Sequence, residues 1–329
     1  MADLFLGIDT SNYTTSAAFC DGDGRVVFSV KHPLPVKTGE RGLRQSDAVF
    51  GHVKNLEAAG AEAAEFLKSQ DGARITAVGV SATPRDAEGS YMPCFLPGIA
   101  AAGFAAMADG IPVYRFSHQA GHVMAAAGTG EAAEKRLWER QFIAFHMSGG
   151  TSDVLLCSPD WDRIISCERI GGTLDLNCGQ AVDRTGVMLG IAFPCGRELD
   201  ALAVGYEDGG GKTPAAKTSV KGVEFNLSGL ENLTEGMIRD GRPAGEVAAF
   251  TLSYIAEITG ILTDRARETY GDLPVLYAGG VMSSGFIRRR LGGKGTFALP
   301  EFSSDNAAGA ALLAREKHIR AVARKGEDA

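Results

Sequence analysis

Apolar runs separated by short polar turns predict strands at the beginning of the chain. Residues 4–9 form an apolar run typical of a buried strand, and residues 16–21 and 25–31 continue the pattern. A Thr/Ser-rich turn joins the first two runs, and Gly22-Asp23-Gly24 favours a hairpin between the second and third. The pattern therefore predicts a three-stranded antiparallel meander.

The periodicity then becomes helical before a second set of strands. A helix is predicted at 46–67, with Val49, Val53, Leu56 and Ala59 on one apolar face. Further predicted elements are a strand at 75–81, an irregular stretch at 83–97, a helix at 98–108, a strand at 112–116, strands at 141–147, 153–157 and 163–170, and a helix at 178–189. The second meander repeats the order of the first about 140 residues later, which predicts a duplicated domain with a cleft between the halves.

The remaining third of the chain is predicted to be mainly helical. Its predicted elements are helices at 197–205 and 244–269, a loop at 207–222, a strand at 274–278 and a final helix from Asn306 to about residue 321. The stretch Gly209-Gly210-Gly211-Lys212-Thr213 resembles the tail of a phosphate-binding loop, but the required upstream glycine is Tyr206 and no strand precedes it. We interpret it as a mobile loop, and contact of this loop with substrate is open.

Composition restricts the class of protein. The 329 residues allow two domains or one large duplicated unit, and the 45% hydrophobic content is ordinary for a globular chain. No basic leader and no apolar run of 18 residues is present, so we expect a cytoplasmic protein with no membrane partner. Six cysteines without a Cys-x-x-Cys pair indicate reduced packing residues. The net charge of −7 leaves room only for local basic patches such as Arg288-Arg289-Arg290.

Two histidines four residues apart are the first candidates for chemistry. His118 and His122 follow a predicted strand, and on a helix both imidazoles would lie on one face within reach of one metal ion. Asp305 is a candidate third ligand, although an aspartate before an alanine-rich helix is more often an N-cap. His146 ends a predicted strand and would lie at the cleft, with a core position as the equal alternative.

Glycine-rich turns between strands are the second candidates. Their backbone N–H groups can hold an anionic phosphate, and Ser148-Gly149-Gly150-Thr151-Ser152 is better suited than the turn that follows Asp9, because paired glycines allow close approach. Two ordinary hairpins are the competing interpretation. Asp175 and Asp183 flank the start of a predicted helix, where a carboxylate could hold ribose hydroxyls or simply favour the helix N-terminus.

Taken together, the motifs resemble the TsaD/YgjD family, historically called O-sialoglycoprotein endopeptidases. The resemblance runs in order from residue 5 to about 315. It is carried by Gly7-Ile8-Asp9-Thr10-Ser11, His118-x-x-x-His122, Ser148-Gly149-Gly150, Gly171-x-Thr173-x-Asp175, Gly179-x-Ala181-x-Asp183, Pro194-x-Gly196, Ser228-Gly229-Leu230, Gly279-Gly280-Val281 and Ser304-Asp305-Asn306-Ala307-Ala308. It implies an α/β protein of the actin/hexokinase-like (ASKHA) fold, with two ribonuclease-H-like lobes around a nucleotide and metal cleft. We expect lobes at 1–117 and 118–302, the second with a helical insertion, and the helix at 303–329 is a candidate to pack back on the first.

The resemblance also implies the ligands. One divalent iron or zinc ion would be bound by His118, His122 and Asp305, with His146 as a fourth ligand, and would polarise a carbonyl as a Lewis acid. An adenine nucleotide (ATP, AMP or an acyl-adenylate) is the second expected ligand. Its predicted binding residues are Asp9, Ser11, Ser148, Gly149, Gly150, Thr151, Asp183, Gly196, Gly280 and Ser284. No catalytic residue is assigned.

The family transfers a threonylcarbamoyl group from its adenylate to the N6 amine of a tRNA adenosine, so we expect an acyltransferase with tRNA as acceptor. Departures keep alternatives open: Asn12-Tyr13-Thr14-Thr15 replaces the usual Cys-Asp-Glu-Thr, and Ser284 replaces the nucleotide-binding asparagine. The alternatives are carbamoyl transfer to another acceptor, or an inactive scaffold that dimerises with a related protein. A homodimer is open as well. Peptide hydrolysis is least favoured, because no nucleophile–base pair supports it.

Overall fold

The structure, a computed structural model, describes residues 2–11, 13–35, 43–215, 217–302 and 306–327. The chain divides into two compact units. Unit 1 is Met1–Thr129, Ser158–Cys167 and Ser304–Ala329, and unit 2 is Gly130–Cys157 and Glu168–Ser303. The first boundary lies after Thr129 and not after residue 117 as expected, because the helix that begins at His118 packs within unit 1 against the last helix of the chain.

The elements follow the predicted order closely. The strands are β1 (Asp3–Asp9), β2 (Thr14–Asp21), β3 (Val26–Pro33), β4 (Arg74–Thr83), β5 (Val113–Ser117), β6 (Phe142–Met147), β7 (Ser152–Asp160), β8 (Ile164–Thr173), β9 (Val220–Lys221), β10 (Glu224–Phe225), β11 (Val275–Ala278) and β12 (Thr296–Phe297). The helices are α1 (Gln45–Ser69), α2 (Leu96–Met107), α3 (His118–Ala127), α4 (Gly130–Glu134), α5 (Cys178–Met188), α6 (Gly196–Asp208), α7 (Ser228–Arg239), α8 (Ala244–Tyr270), α9 (Gly285–Leu291) and α10 (Asn306–Glu327).

Unit 1 is built on a five-stranded sheet in the order β3-β2-β1-β4-β5. The first three strands pair antiparallel, which confirms the predicted meander, and β4 and β5 continue the sheet in parallel. The side chains of β1 and β4 that face the core include Leu6, Ile8 and Val78, and all of them are buried.

The long helix α10 lies very close to this sheet because glycines meet it. A Cβ atom on Gly7 of β1 would lie 1.9 Å from the carbonyl oxygen of Ala307, and one on Gly79 of β4 would lie 2.1 Å from that of Ala310. Gly309 of α10 makes the reciprocal approach to α3, where its Cβ would lie 1.8 Å from the carbonyl oxygen of Gly121. Only glycine fits at these contacts.

Helix α1 buries only part of the predicted face: Ala59 is buried and Leu56 packs against the core as expected, whereas Val53 does not. Val53 is 56% exposed, and the buried positions are Ala48, His52, Ala59 and Ala63. The reason is a polar contact: His52 Nδ1 lies 2.8 Å from the hydroxyl of Thr15 on β2. This buried hydrogen bond and the small alanines allow the helix to approach the sheet on that side.

Unit 2 contains a seven-stranded sheet in the order β12-β11-β6-β7-β8-β10-β9. Strand β6 pairs antiparallel with β7 and parallel with β11. Helix α8 is long and apolar enough to cross a membrane by length and composition, but 83% of its most apolar window is buried in the protein, as is typical of a core helix. Helices α5, α6 and α7 pack against it.

Candidate functional site

The histidine pair of unit 1 is placed by the start of α3. Ser117 is the N-cap of this helix, because its hydroxyl accepts a hydrogen bond from the backbone N–H of Ala120 at 3.1 Å. The helix therefore begins at His118, and the rings of His118 and His122 lie one turn apart with centroids separated by 4.5 Å. Both imidazoles thus share one face of the helix, as the spacing predicts.

Asp9 fixes one of these rings. Its buried carboxylate lies with Oδ2 3.1 Å from Nδ1 of His118, and Oδ1 accepts hydrogen bonds from the backbone N–H of Ser11 at 2.8 Å and from the Ser11 hydroxyl. Burial raises the pKa of Asp9, but the neighbouring His118 and the hydrogen bonds outweigh this effect and lower it overall. A nucleotide-binding role for Asp9 and Ser11 stays a prediction, whereas their contacts orient His118.

This geometry fits the expected metal in part. A histidine whose Nδ1 is held by a carboxylate leaves Nε2 for a metal ion, the usual arrangement of metal-binding histidines. Asp305 lies outside the described residues, and His146 is buried at the end of β6 in unit 2. Within the described part of the chain, no three His, Cys, Asp or Glu side chains cluster as a metal site. The full ligand set therefore stays a prediction.

Unit 2 contains a cavity of about 520 Å³ in which predicted nucleotide-binding residues come together. Its lining residues include five of the ten predicted positions, namely Gly149, Asp183, Gly196, Gly280 and Ser284. The volume lies within the range of small-molecule sites. These five residues come from separate stretches of the chain, and the fold of unit 2 brings them together at one cavity.

The turn at 148–151 forms one wall of the cavity. The backbone N–H of Ser148 donates to the carbonyl of Thr151 at 2.7 Å, and the N–H of Thr151 donates to the Ser148 hydroxyl at 3.1 Å. A Cβ atom on Gly149 or Gly150 would meet nothing within 4 Å, so these two backbones border open space. Gly179, at the start of α5, packs against this turn. A Cβ atom added to Gly179 would lie 2.6 Å from the backbone of Gly149.

The two predicted polar side chains of the cavity have different surroundings. Asp183 accepts a hydrogen bond from the backbone N–H of Cys195 at 2.9 Å through Oδ1. Its Oδ2 has no hydrogen-bond partner within the described ranges and can accept from a ribose hydroxyl. Ser284 is the N-cap of α9, with its hydroxyl bonded to Asp200 and to the N–H of Ile287. This serine is therefore engaged in structure.

Arg197 and Asp200 also line this cavity, and sequence reasoning did not identify them. Arg197 is exposed in the first turn of α6 and makes no hydrogen bond or ion pair within the described residues, so its guanidinium is available to an anion. Asp200 instead receives the backbone N–H groups of Gly285 and Phe286 at 3.0 and 3.1 Å and anchors α9. The sequence signal for Arg197 is only its position directly after Gly196, and an arginine in the first turn of a helix is ordinary.

Asp175 does not belong to this cavity and has a structural role. Its carboxylate accepts the backbone N–H groups of Leu227 at 2.8 Å and Ser228 at 3.1 Å, where α7 begins. Burial raises the pKa of Asp175, but hydrogen bonds from Ser228, Leu227 and Leu176 prevail and lower it to about 2. Asp175 therefore stabilises the N-terminus of α7, and not that of the helix at 178–189 as the sequence suggested, where Asn177 is the cap.

We expect Asp175→Asn to reduce the acid sensitivity of the fold. A carboxyl with a lowered folded-state pKa contributes stability above its ordinary value near 3.8, and this contribution is lost as the pH falls towards about 2. Unfolding by urea at several pH values, roughly from 6 to 2, measures the effect. The variant should be less stable at pH 6 and lose less stability on acidification; an identical pH profile would contradict the assignment.

Each of the two units is built on a sheet of parallel and antiparallel strands, and solved structures share this fold. HypF from T. kodakarensis matches with a TM-score of 0.57 at 14% identity over 97% of this chain and 48% of its own. The activator of 2-hydroxyisocaproyl-CoA dehydratase from Clostridium difficile, solved with ADPNP, matches with a TM-score of 0.51 at 14% identity over 99% and 98%. These likenesses establish the fold and confirm the predicted ASKHA class.

The chain belongs to the TsaD family. The sequence profile described as TsaD, tRNA N6-adenosine threonylcarbamoyltransferase, matches residues 42–312. The protein of that name from Streptococcus suis is 30% identical over 297 residues, 88% of this chain and 83% of its own length. The Streptococcus sanguinis protein is 32% identical over 224 residues, 66% and 62% respectively. The family is one of transferases, which confirms the predicted class of enzyme.

Proposed function

We propose that this protein transfers a threonylcarbamoyl or carbamoyl group from an adenylate to an acceptor, and that the acceptor is the N6 amine of a tRNA adenosine. The observation that carries the proposal is the cavity of unit 2, where Gly149, Asp183, Gly196 and Gly280 converge with Arg197. Membership of the TsaD family supports the acceptor. A cavity of this size suits an adenylate.

Each group in the cavity has a role in holding that adenylate. The backbone N–H groups at Gly149 and Gly150, which border open space, and the Arg197 guanidinium would bind the phosphate. Asp183 Oδ2 would accept a hydrogen bond from a ribose hydroxyl. With the phosphate fixed in this way, the acyl carbonyl attached to it would be held in one orientation for attack by the acceptor amine.

His118 and His122 would hold one iron or zinc ion, with Asp305 and His146 as the further ligands. Such an ion supplies Lewis-acid polarisation of the acyl carbonyl when it is bound. Asp9 would serve this site by holding Nδ1 of His118, so that Nε2 faces outward from the carboxylate. The ionised state of Asp9, favoured by its lowered pKa, keeps that contact charged at neutral pH.

The experiment is elemental analysis of purified protein together with an assay of transfer to tRNA, for the wild type and for His122→Ala. We expect about one equivalent of iron or zinc in the wild type, as four-ligand sites commonly bind, and loss of both metal and transfer in the variant. His32→Ala is the matched control, because His32 lies in β3 of the same unit and contacts Glu62 at 2.9 Å instead of the pair. Full transfer by His122→Ala would refute the role given to the metal.

A second candidate is carbamoyl transfer to a different acceptor. The first motif lacks the acidic pair of the family. Tyr13 and Thr14 occupy the two positions, and Tyr13 is exposed. Expression of this chain in cells that lack their own threonylcarbamoyltransferase separates the two functions. Restored modification of tRNA would exclude the second candidate. A wild-type protein that binds no metal and transfers no acyl group would instead favour an inactive scaffold.

A further inference from the structure

A second cavity, of about 610 Å³, lies in unit 1 and shares no residue with the cavity of unit 2. We call it the unit 1 cavity. It is bounded by the end of β4, the segment that leads to α2, strand β5, the start of α3 and the turn between β7 and β8. Its lining residues are Ala82, Thr83, Arg85, Asp86, Ala87, Glu88, Tyr91, Met92, Phe95, Leu96, Ile99, Arg115, Phe116, Ser117, Ala120 and Arg163.

The floor of this cavity is apolar and its wall carries an accessible aromatic ring. Phe95, Phe116 and Ala120 are buried beneath it, whereas Tyr91 is 62% exposed. An accessible tyrosine beside an apolar floor provides a stacking surface for a flat ring, and bases of every kind stack on such side chains. The shape and surface therefore suit a ligand with a planar part.

Positive charge converges on the same cavity from three separate segments. Arg85 follows β4, Arg115 lies on β5 and Arg163 lies in the β7–β8 turn. Within the described residues, the side chains of Arg115 and Arg163 make no hydrogen bond and no ion pair within 4 Å, and both are exposed; the charge of Arg163 also acts on the carboxyl of Asp86. A guanidinium matches the geometry of a phosphate, so two such groups at one cavity indicate an anionic ligand.

Asp86 adds a buried acceptor. Its Oδ2 atom is buried and has no hydrogen-bond partner within the described ranges of the chain. An unsatisfied buried oxygen is costly, which is an independent indication that a ligand donates to it. Burial raises the pKa of this carboxyl, and the hydrogen bonds that it receives from Ser117 and the Cys167 backbone, with the nearby Arg163, only partly offset this effect. Amine and hydroxyl groups of a nucleotide are suitable donors.

We propose that the unit 1 cavity binds one nucleotide of the RNA acceptor in single-stranded form. The phosphate would contact Arg115 and Arg163, the base would stack on Tyr91, and an amine or hydroxyl would donate to Asp86. The identity of the ligand as RNA rests on the proposed function, whereas the charge and the stacking surface are independent of it. The cavity would thus position the acceptor separately from the adenylate bound in unit 2.

The test is the affinity of a fluorescently labelled single-stranded RNA, measured by anisotropy at several salt concentrations. We expect Arg115→Ala and Arg163→Ala each to weaken binding about tenfold and to reduce the slope of log affinity against log salt by about 0.7, the value for one phosphate contact on a single strand. Tyr91→Ala should also weaken binding about tenfold but leave the salt slope unchanged, because stacking releases no counterion.

Arg25→Ala is the matched control for charge. Arg25 lies in the β2–β3 turn of the same unit and is largely exposed, and among the described residues its guanidinium forms one ion pair, with Asp23 at 3.9 Å. It should leave both affinity and slope unchanged. If the Arg115 and Tyr91 variants bind RNA as tightly as the wild type, the proposal is wrong. If these variants lose affinity for AMP but not for RNA, the cavity takes a free nucleotide, and the assignment to RNA is overturned.

The transfer assay distinguishes this inference from the proposed function. Transfer to tRNA by the wild type, with an unchanged KM for tRNA in Arg115→Ala, would leave the function standing and overturn the inference. If the wild type transfers nothing to tRNA but its RNA affinity depends on Arg115 and Tyr91, the inference stands and the proposed function is overturned. A raised KM for tRNA with unchanged kcat in Arg115→Ala supports both. Because these side chains are exposed, the variants are expected to fold normally.

Discussion

Gly309→Ala is expected to destabilise unit 1 by about 3 kcal/mol, which would lower the melting temperature by roughly 6–12 °C. The added Cβ would lie 1.8 Å from the carbonyl oxygen of Gly121 and 3.0 Å from the backbone nitrogen of Ala125. Both neighbours are backbone atoms of α3, so no rotamer change can relieve the clash. Helix α10 or α3 must shift, and the His118–His122 pair would shift with α3.

Thermal unfolding followed by circular dichroism measures this effect. Gly326→Ala is the matched control, because Gly326 lies on the same helix and its Cβ would meet nothing within 4 Å. Alanine is the better helix former by about 1 kcal/mol, so the control should be as stable as the wild type or slightly more stable. A Gly309→Ala protein that melts like the control would show that the α3–α10 contact is looser than described.

Gly179→Ala is expected to weaken nucleotide binding roughly tenfold to a hundredfold, as displacements of about 1 Å in a binding site do. Its Cβ would lie 2.6 Å from the Cα and N atoms of Gly149, which lines the cavity of unit 2. The turn at 148–151 must move away, and the amides proposed to hold the phosphate would lose their position. Calorimetric titration with AMP gives the change in Kd.

Gly205→Ala serves as the control for that measurement. Gly205 is exposed on α6 of the same unit, and its Cβ would have no neighbour within 4 Å. Equal affinities for AMP in the Gly179→Ala, Gly205→Ala and wild-type proteins would place the phosphate elsewhere than at the 148–151 turn. Loss of affinity in Gly179→Ala alone would support the proposed adenylate site and leave the identity of the acyl group to the transfer assay.

Local patterns predicted the elements well, because apolar runs, turn residues and helix caps act over a few positions. The meander of β1 to β3 and the start of α3 at His118 are examples. The face of α1 was predicted in part: Ala59 is buried and Leu56 packs on the core, but Val53 is exposed. His52, which hydrogen-bonds to Thr15 of β2, is buried instead, and apolar periodicity does not reveal such a polar contact. The unit boundary also depends on a distant contact, between Gly121 and Gly309, which no local signal contains.

The sequence predicted those residues of the candidate site that belong to recognisable motifs. Glycines and acidic residues recognised by spacing, such as Gly149, Asp183 and Gly280, do meet in one cavity. Arg197 was missed because an arginine in the first turn of a helix is ordinary in sequence, and only the fold shows that it borders this cavity without a partner among the described residues. The unit 1 cavity was missed for the same reason, because its three arginines are far apart in the chain.

The position of α10 has a consequence for how the protein is made. Strands β1 and β4 pack against this helix through Gly7 and Gly79, yet the ribosome adds α10 about 230–300 residues later, on the order of 10–60 s at ordinary rates of synthesis. During that interval one side of the first sheet is uncovered and exposed to aggregation, while all of unit 2 is completed. A premature stop codon shortly before α10 would therefore damage the half of the protein that is encoded first.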